Sequence, residues 1–137
     1  MTVNQVGENA WVPSVQHDTF IPDQLLSGPL QVVSDTVTIL TGSAATYKRG
    51  TVLGVVTASG KYTLSVATAT DGSQVPKAIL ADDADATAAD VLAGVYLMAE
   101  INQNRITFDP SWTLATLKTA LRPYGIFLRG SVQAPAS

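Results

Sequence analysis

Few side chains in this 137-residue sequence are equipped for acid–base, nucleophilic or metal chemistry, and their spacing keeps them apart. His17 is the single histidine and there is no cysteine, so a catalytic triad would have to be built around Gln16-His17-Asp18. That tripeptide lies in a proline-punctuated stretch, a poor place to preorganise a base, and a solvated side chain is the simpler reading. Glu8 and Glu100 are the only glutamates. Glycoside hydrolysis needs two convergent carboxylates, and a lone strand glutamate reads instead as half of an ion pair or interface contact. Asp82-Asp83-Ala84-Asp85, with Asp90 beyond, invites comparison with a calcium loop. The acids do not alternate, and no glycine or distal glutamate falls in place, so the run reads as an exposed connection. Gly50, Gly54, Gly60 and Gly72 are spread through hairpin-like sequence, with no helix following to cradle a phosphate. These residues predict no catalytic, cofactor or metal site.

The elements around them read mainly as strand. Val37 and Ile39 alternate with Thr36, Thr38 and Thr41, a period of two with one apolar face. Thr51–Thr57 and Lys61–Ala67 form the clearest hairpin, with Gly60 at the turn, and Asp71-Gly72-Ser73 is a second turn. Lys77–Ala81, Val91–Ile101, Arg105–Phe108 and Ile126–Leu128 read as further strands. One helix is predicted over about 110–122. Asp109 is placed to cap it, Pro110 suits its first position, and Leu114, Leu117 and Leu121 share a face before Pro123 ends it. Trp112 at its head reads as core.

The expected fold is therefore a single β-rich α+β domain of short antiparallel strands and hairpins, residues 30–137, preceded by an extended arm, residues 1–29. Pro13, Pro22 and Pro29 punctuate the arm, and its apolar residues follow no period. Fully extended, it would reach on the order of 95 Å. Disordered tails are poor in aromatics, whereas this one carries Trp11 and Phe20, so it reads as an arm that orders on a partner.

Composition narrows the function classes. Charged residues make up 14% of the chain, the net charge is −3, and Ala, Thr and Val fill over a third of the positions. So pale a surface suits a protein covered by other protein. The eight Lys and Arg residues are scattered along the sequence, which argues against nucleic-acid binding. No apolar run reaches the roughly 18 residues of a membrane span, and the N-terminus lacks the features of a secretory signal.

The order of blocks from Arg49 to Glu100 also resembles that of the lambda-like head decoration proteins of tailed phages. Those blocks are Arg49-Gly50-Thr51-Val52-Leu53-Gly54-Val55-Val56-Thr57, Lys61-Tyr62-Thr63-Leu64-Ser65-Val66, Thr70-Asp71-Gly72-Ser73-Gln74, Ala78-Ile79-Leu80-Ala81 and Asp82-Asp83-Ala84-Asp85-Ala86-Thr87. The resemblance implies a non-enzymatic virion protein made in the host cytoplasm. It further implies a homotrimer on the outer surface of the expanded capsid, bound to the major capsid protein at three-fold and quasi-three-fold sites. There it would stabilise the shell against internal DNA pressure. The arm residues Trp11, Val15, Phe20 and Ile21 are the candidates for capsid contact. The alternative class is a small carbohydrate-binding or adhesin-type β-domain on a virion or cell surface, which exposed aromatics on one sheet face would favour. Aromatics are 7% of this chain.

Overall fold

Five strands close into a small barrel because one long strand can pair on both edges. A computed structural model describes residues 25–130. Strand β1 (Val33–Ile39) is followed by β2 (Thr46–Tyr47), β3 (Val52–Val55), β4 (Tyr62–Leu64), β5 (Pro76–Leu80) and β6 (Ala84–Asp85). Then come β7 (Val91–Asn102), helix α1 (Leu114–Leu121), a 3-10 turn (Arg122–Tyr124) and β8 (Ile126–Arg129). The hairpin read from the sequence is β3–β4, with Leu53 opposite Leu64 and Gly60 at φ +71° in its turn. β5 lies antiparallel to β3 and β7, and β7 lies antiparallel to β1. A parallel contact between Ile39 and Tyr62 returns β1 to β4 and closes the ring. β2 and β6 form a separate two-stranded ladder.

A five-stranded barrel is narrow, and its interior is correspondingly small. Ile39, Leu53, Leu80 and Val95 are fully buried there, packed with Ala78, Ala84, Ala86 and Ala93. The alanine richness that looks bland in the sequence is thus a volume constraint.

The second core lies outside the barrel, under the helix. Val52 and Ile79, a cross-strand pair on the outer face of β3 and β5, meet Leu117 and Leu121 together with Ile126, Leu128 and Leu25. β7 serves both cores through a bulge. Val33 pairs with Met98 while its neighbour Ser34 pairs with Tyr96, so Leu97 is an extra residue on β7. Before it, Ala93 and Val95 face the barrel and Tyr96 faces the helix side. After it, Ala99 and Ile101 face the helix side. A one-residue insertion inverts the alternation of a strand, which turns Met98 and Glu100 away from the helix.

The helix is shorter than predicted and capped elsewhere. Asp109 makes a turn, its carboxylate accepting the Ser111 N–H at 2.9 Å and its carbonyl the Trp112 N–H at 3.0 Å. The cap is Thr113, whose hydroxyl accepts the Thr116 N–H at 3.2 Å, while its own N–H donates to the Thr116 hydroxyl at 3.1 Å. The sequence reading missed this because threonine at the third helical position stands in for the usual Glu or Gln of a capping box. Pro123 ends α1 by continuing into the 3-10 turn, and Gly125 leaves it at φ +78°. A side chain at Gly125 would be strained by that φ and would press on Met98 Cγ, 3.0 Å from an added Cβ. Two pairings also depart from an all-antiparallel expectation: β8 runs parallel to β7, as β1 does to β4. Arg105–Phe108 contributes only a single bridge, Thr51 to Thr107. Trp112 is half-buried against the helix core, its Nε1–H donating to the Ser65 carbonyl at 3.2 Å.

Leu117 and Leu121 are fully buried, and Leu114 packs at the margin of the same core. Leu117→Ala is expected to cost roughly 2–5 kcal/mol, read in urea as a lower midpoint with an unchanged slope. Thr113→Ala should cost about 1 kcal/mol by removing the cap. An unaltered midpoint for Leu117→Ala would mean that this face of the helix is not core.

Candidate interaction surface

The face of β7 turned away from the helix carries Met98 and Glu100, and Glu100 organises what surrounds it. Its Oε1 accepts from Arg129 Nη1 at 2.7 Å, its Oε2 accepts the Leu30 N–H at 2.8 Å, and its backbone carbonyl accepts the Ser27 N–H at 2.9 Å. One residue therefore ties the entering chain to β7 and to the last residue of β8. The chain lies so close that a side chain at Gly28 would collide with the Glu100 carboxylate. The Arg129 hydrogen bond, helped by the Leu30 N–H, holds the Glu100 carboxyl below the usual carboxylate range. Residues 25–29, read as the end of the arm, are laid along β7. Leu25 is buried, its carbonyl accepts the Asn102 N–H at 2.7 Å, and Leu26 bridges to Ile101.

Beside this clamp is a cleft of roughly 540 Å³. Leu30, Phe127 and Leu128 give it apolar walls, and Lys118, Arg122 and Arg129 give it a cationic rim. Lys118 and Arg122 are exposed, one turn apart at the C-terminal end of α1, where the helix dipole favours positive charge. They make no ion pair among the described residues. Phe127 is 39% exposed, and nearby Lys77 lies over the Tyr124 ring at 5.6 Å. On the opposite part of β7, Leu92 stands 72% exposed across from Thr38, an isolated apolar side chain on a threonine-rich face.

The other residues weighed in the sequence take structural places. Asp82, Asp83 and Asp85 are exposed. Asp83 accepts the Arg49 N–H at 2.7 Å, and Asp85 accepts from the Thr87 N–H and hydroxyl. The latter bonds hold the Asp85 carboxyl below its ordinary range. Asp90 pairs with Lys61 and accepts the Thr41 N–H. Among the described residues, no three such side chains converge to hold a metal ion, and no helix is long and apolar enough to cross a membrane. His17 and the arm candidates Trp11, Val15, Phe20 and Ile21 lie outside the described residues. The sequence reading missed the cationic cleft, because Lys118, Arg122 and Arg129 look scattered in one dimension. The available signal was the four-residue spacing of Lys118 and Arg122, which puts both on one helix face.

Because the folded Glu100 carboxyl ionises more readily than a free one, its stabilising effect is full above the ordinary pKa of an unfolded glutamate. It is lost as the pH falls through and below that value. Glu100→Gln should therefore lose less stability than the wild type between pH 7 and pH 3 in urea denaturation. Equal losses would show that the clamp does not couple folding to this proton.

No relative among the curated proteins matches the chain. The family model for the bacteriophage lambda head decoration protein D matches residues 15–125, spanning the barrel, Glu100, the helix and the 3-10 turn, and ending before β8. The chain belongs to that family of structural phage proteins, which gives it a role in decorating the phage capsid and a place on the virion.

Proposed function

We propose that the protein binds the outer surface of the expanded capsid as a homotrimer, at three-fold and quasi-three-fold positions, and stabilises the shell against the pressure of packaged DNA. The observation that carries this reading is the family match across residues 15–125. The mechanism is a clamp without chemistry. A trimer bridging several major capsid subunits adds buried contacts across the joints that open first under outward pressure. Binding to the expanded state alone stabilises that state by mass action. Three arms on one body raise the effective concentration of each, so modest contacts per arm give slow release. Trp11, Val15, Phe20 and Ile21 are the arm residues assigned to capsid contact, with strand addition to a capsid-protein sheet as their mode. Within this reading the protein is not an enzyme, needs no cofactor, and takes neither nucleic acid nor membrane as partner.

A three-fold capsid site is matched in symmetry by a heterologous interface that closes at three. Electron cryomicroscopy of expanded particles should show three copies around each local three-fold; single copies at hexamer centres would overturn the reading. Deleting residues 1–24 should leave the domain folded, with its thermal transition retained, while lowering occupancy on expanded capsids. Unchanged occupancy would remove the arm from the mechanism.

A further inference from the structure

We propose that the cationic cleft between α1 and β8 receives the acidic N-terminal segment of a neighbouring copy of this chain. This rests on the trimer reading above and assigns its interface: each copy offers one arm and one cleft, and the contacts run head to tail around the ring.

Charge is the first constraint on the occupant. The chain carries a net −3, yet three of its eight basic residues, Lys118, Arg122 and Arg129, rim one cleft whose single carboxylate, Glu100, is already bound to Arg129. Two of these cations have no anionic partner among the described residues, so the cleft presents unbalanced positive charge over an apolar wall. A fitting occupant is acidic, carries large apolar side chains and is free of Lys and Arg. Residues 1–24 meet all three conditions. Their charged side chains at neutral pH are Glu8, Asp18 and Asp23, and the first basic residue of the chain is Lys48. Asp18 is followed at two and three residues by Phe20 and Ile21, which supplies acid and apolar groups together. Opposed charges of this kind at an interface speed encounter and fix register.

Direction favours a neighbour over the same chain. Traced back from Leu30, whose N–H binds the Glu100 carboxylate, the backbone passes Ser27 at the Glu100 carbonyl and Leu25 at the Asn102 N–H. It is then heading past the end of β7 and away from the Leu30 wall of its own cleft. Filling that cleft in the same molecule would require the chain before Leu25 to fold back on this path. A head-to-tail exchange yields the heterologous contact that a closed ring needs. On this inference Phe20 and Ile21, assigned above to the capsid, lie against a neighbour instead, and Trp11 and Val15, further from the domain, keep the contact with the shell.

The test places the photocrosslinker p-benzoylphenylalanine at Phe127, in the full-length chain bound to expanded capsids of the parent phage. The expected product is an adduct of twice the chain mass whose cross-linked peptide maps to residues 1–24. An adduct within one chain, an adduct to the major capsid protein, or no adduct at full occupancy would each overturn the proposal. Density on the same particles keeps the two ideas separate. Three copies per local three-fold without the chain-to-chain adduct would overturn the arm exchange alone, whereas isolated copies would overturn the trimer as well. In parallel, Lys118→Glu with Arg122→Glu should weaken self-association by about tenfold or more at low salt. Adding Glu8→Lys with Asp18→Lys to that variant should restore it. A loss that the second reversal leaves unrepaired would count against the pairing.

Discussion

The extra residue at Leu97 is the constraint on which the rest of this architecture depends. A regular strand sends every second residue to the same face along its whole length, yet β7 must fill the barrel with Ala93 and Val95 and floor the helix layer with Ala99 and Ile101. All four are odd-numbered, so without the bulge they would share a face. The bulge inverts the alternation halfway along a twelve-residue strand and delivers each pair to its own core. Removing it would have a second consequence. Glu100 would be carried beneath α1, where its carboxylate would lose Arg129 and the Leu30 N–H and meet leucines instead, and an uncompensated buried charge is far costlier than a misplaced apolar side chain.

From that inversion follows the clamp. With Glu100 turned outward, three parts of the chain that are remote in sequence converge on one residue: the entering chain at Ser27 and Leu30, the C-terminal part of β7, and Arg129 at the end of β8. The parallel pairing of β8 with β7 places Phe127 opposite Glu100 and Arg129 opposite Asn102, on the same outward face. The helix returns the chain to β8 from the other side and leaves Lys118 and Arg122 at the rim. The cleft is thus a product of topology, formed where β8, the end of α1 and the entering chain meet.

Much of this was legible in the sequence where local rules dominate. The β3–β4 hairpin followed from alternation and Gly60, and the buried pair Leu117 and Leu121 from helical spacing. What failed to show was set by competition between equivalent local choices or by distance. Asp109 and Thr113 are both good caps by residue type, and only the reciprocal bond to Thr116 decides for Thr113. The bulge at Leu97 has no glycine to mark it, since its cause is the demand of two cores on one strand. Parallel pairing of β7 with β8 depends on the helix between them packing back over the sheet, which no window of either strand reveals. Glu100 was legible as an ion-pair partner, but Arg129 could not be named, because 29 residues separate the two.

The alanine and threonine richness that first suggested a surface covered by other protein has two separate physical origins. Within the barrel, Ala78, Ala84, Ala86 and Ala93 are small because five strands leave little room. On the outside, Ser34, Thr36, Thr38 and Gly94 line the β1–β7 face with small side chains, and Leu92 stands 72% exposed among them. Among the described residues, Lys61 is tied to Asp90, Arg49 to the Ala81 carbonyl and the Tyr96 hydroxyl, and Arg129 to Glu100, while Lys48, Lys77, Arg105, Lys118 and Arg122 make no ion pair. A family that decorates a capsid asks its members for shape and adhesion, with no demand for a poised acid or base. In a surface so short of charge, unpaired cations gathered at one place stand out. Lys118 and Arg122 add nothing to either core, and the fold nevertheless holds them beside Arg129 at the mouth of an apolar cleft. That placement is better explained by what comes to lie there than by the stability of the domain that carries it.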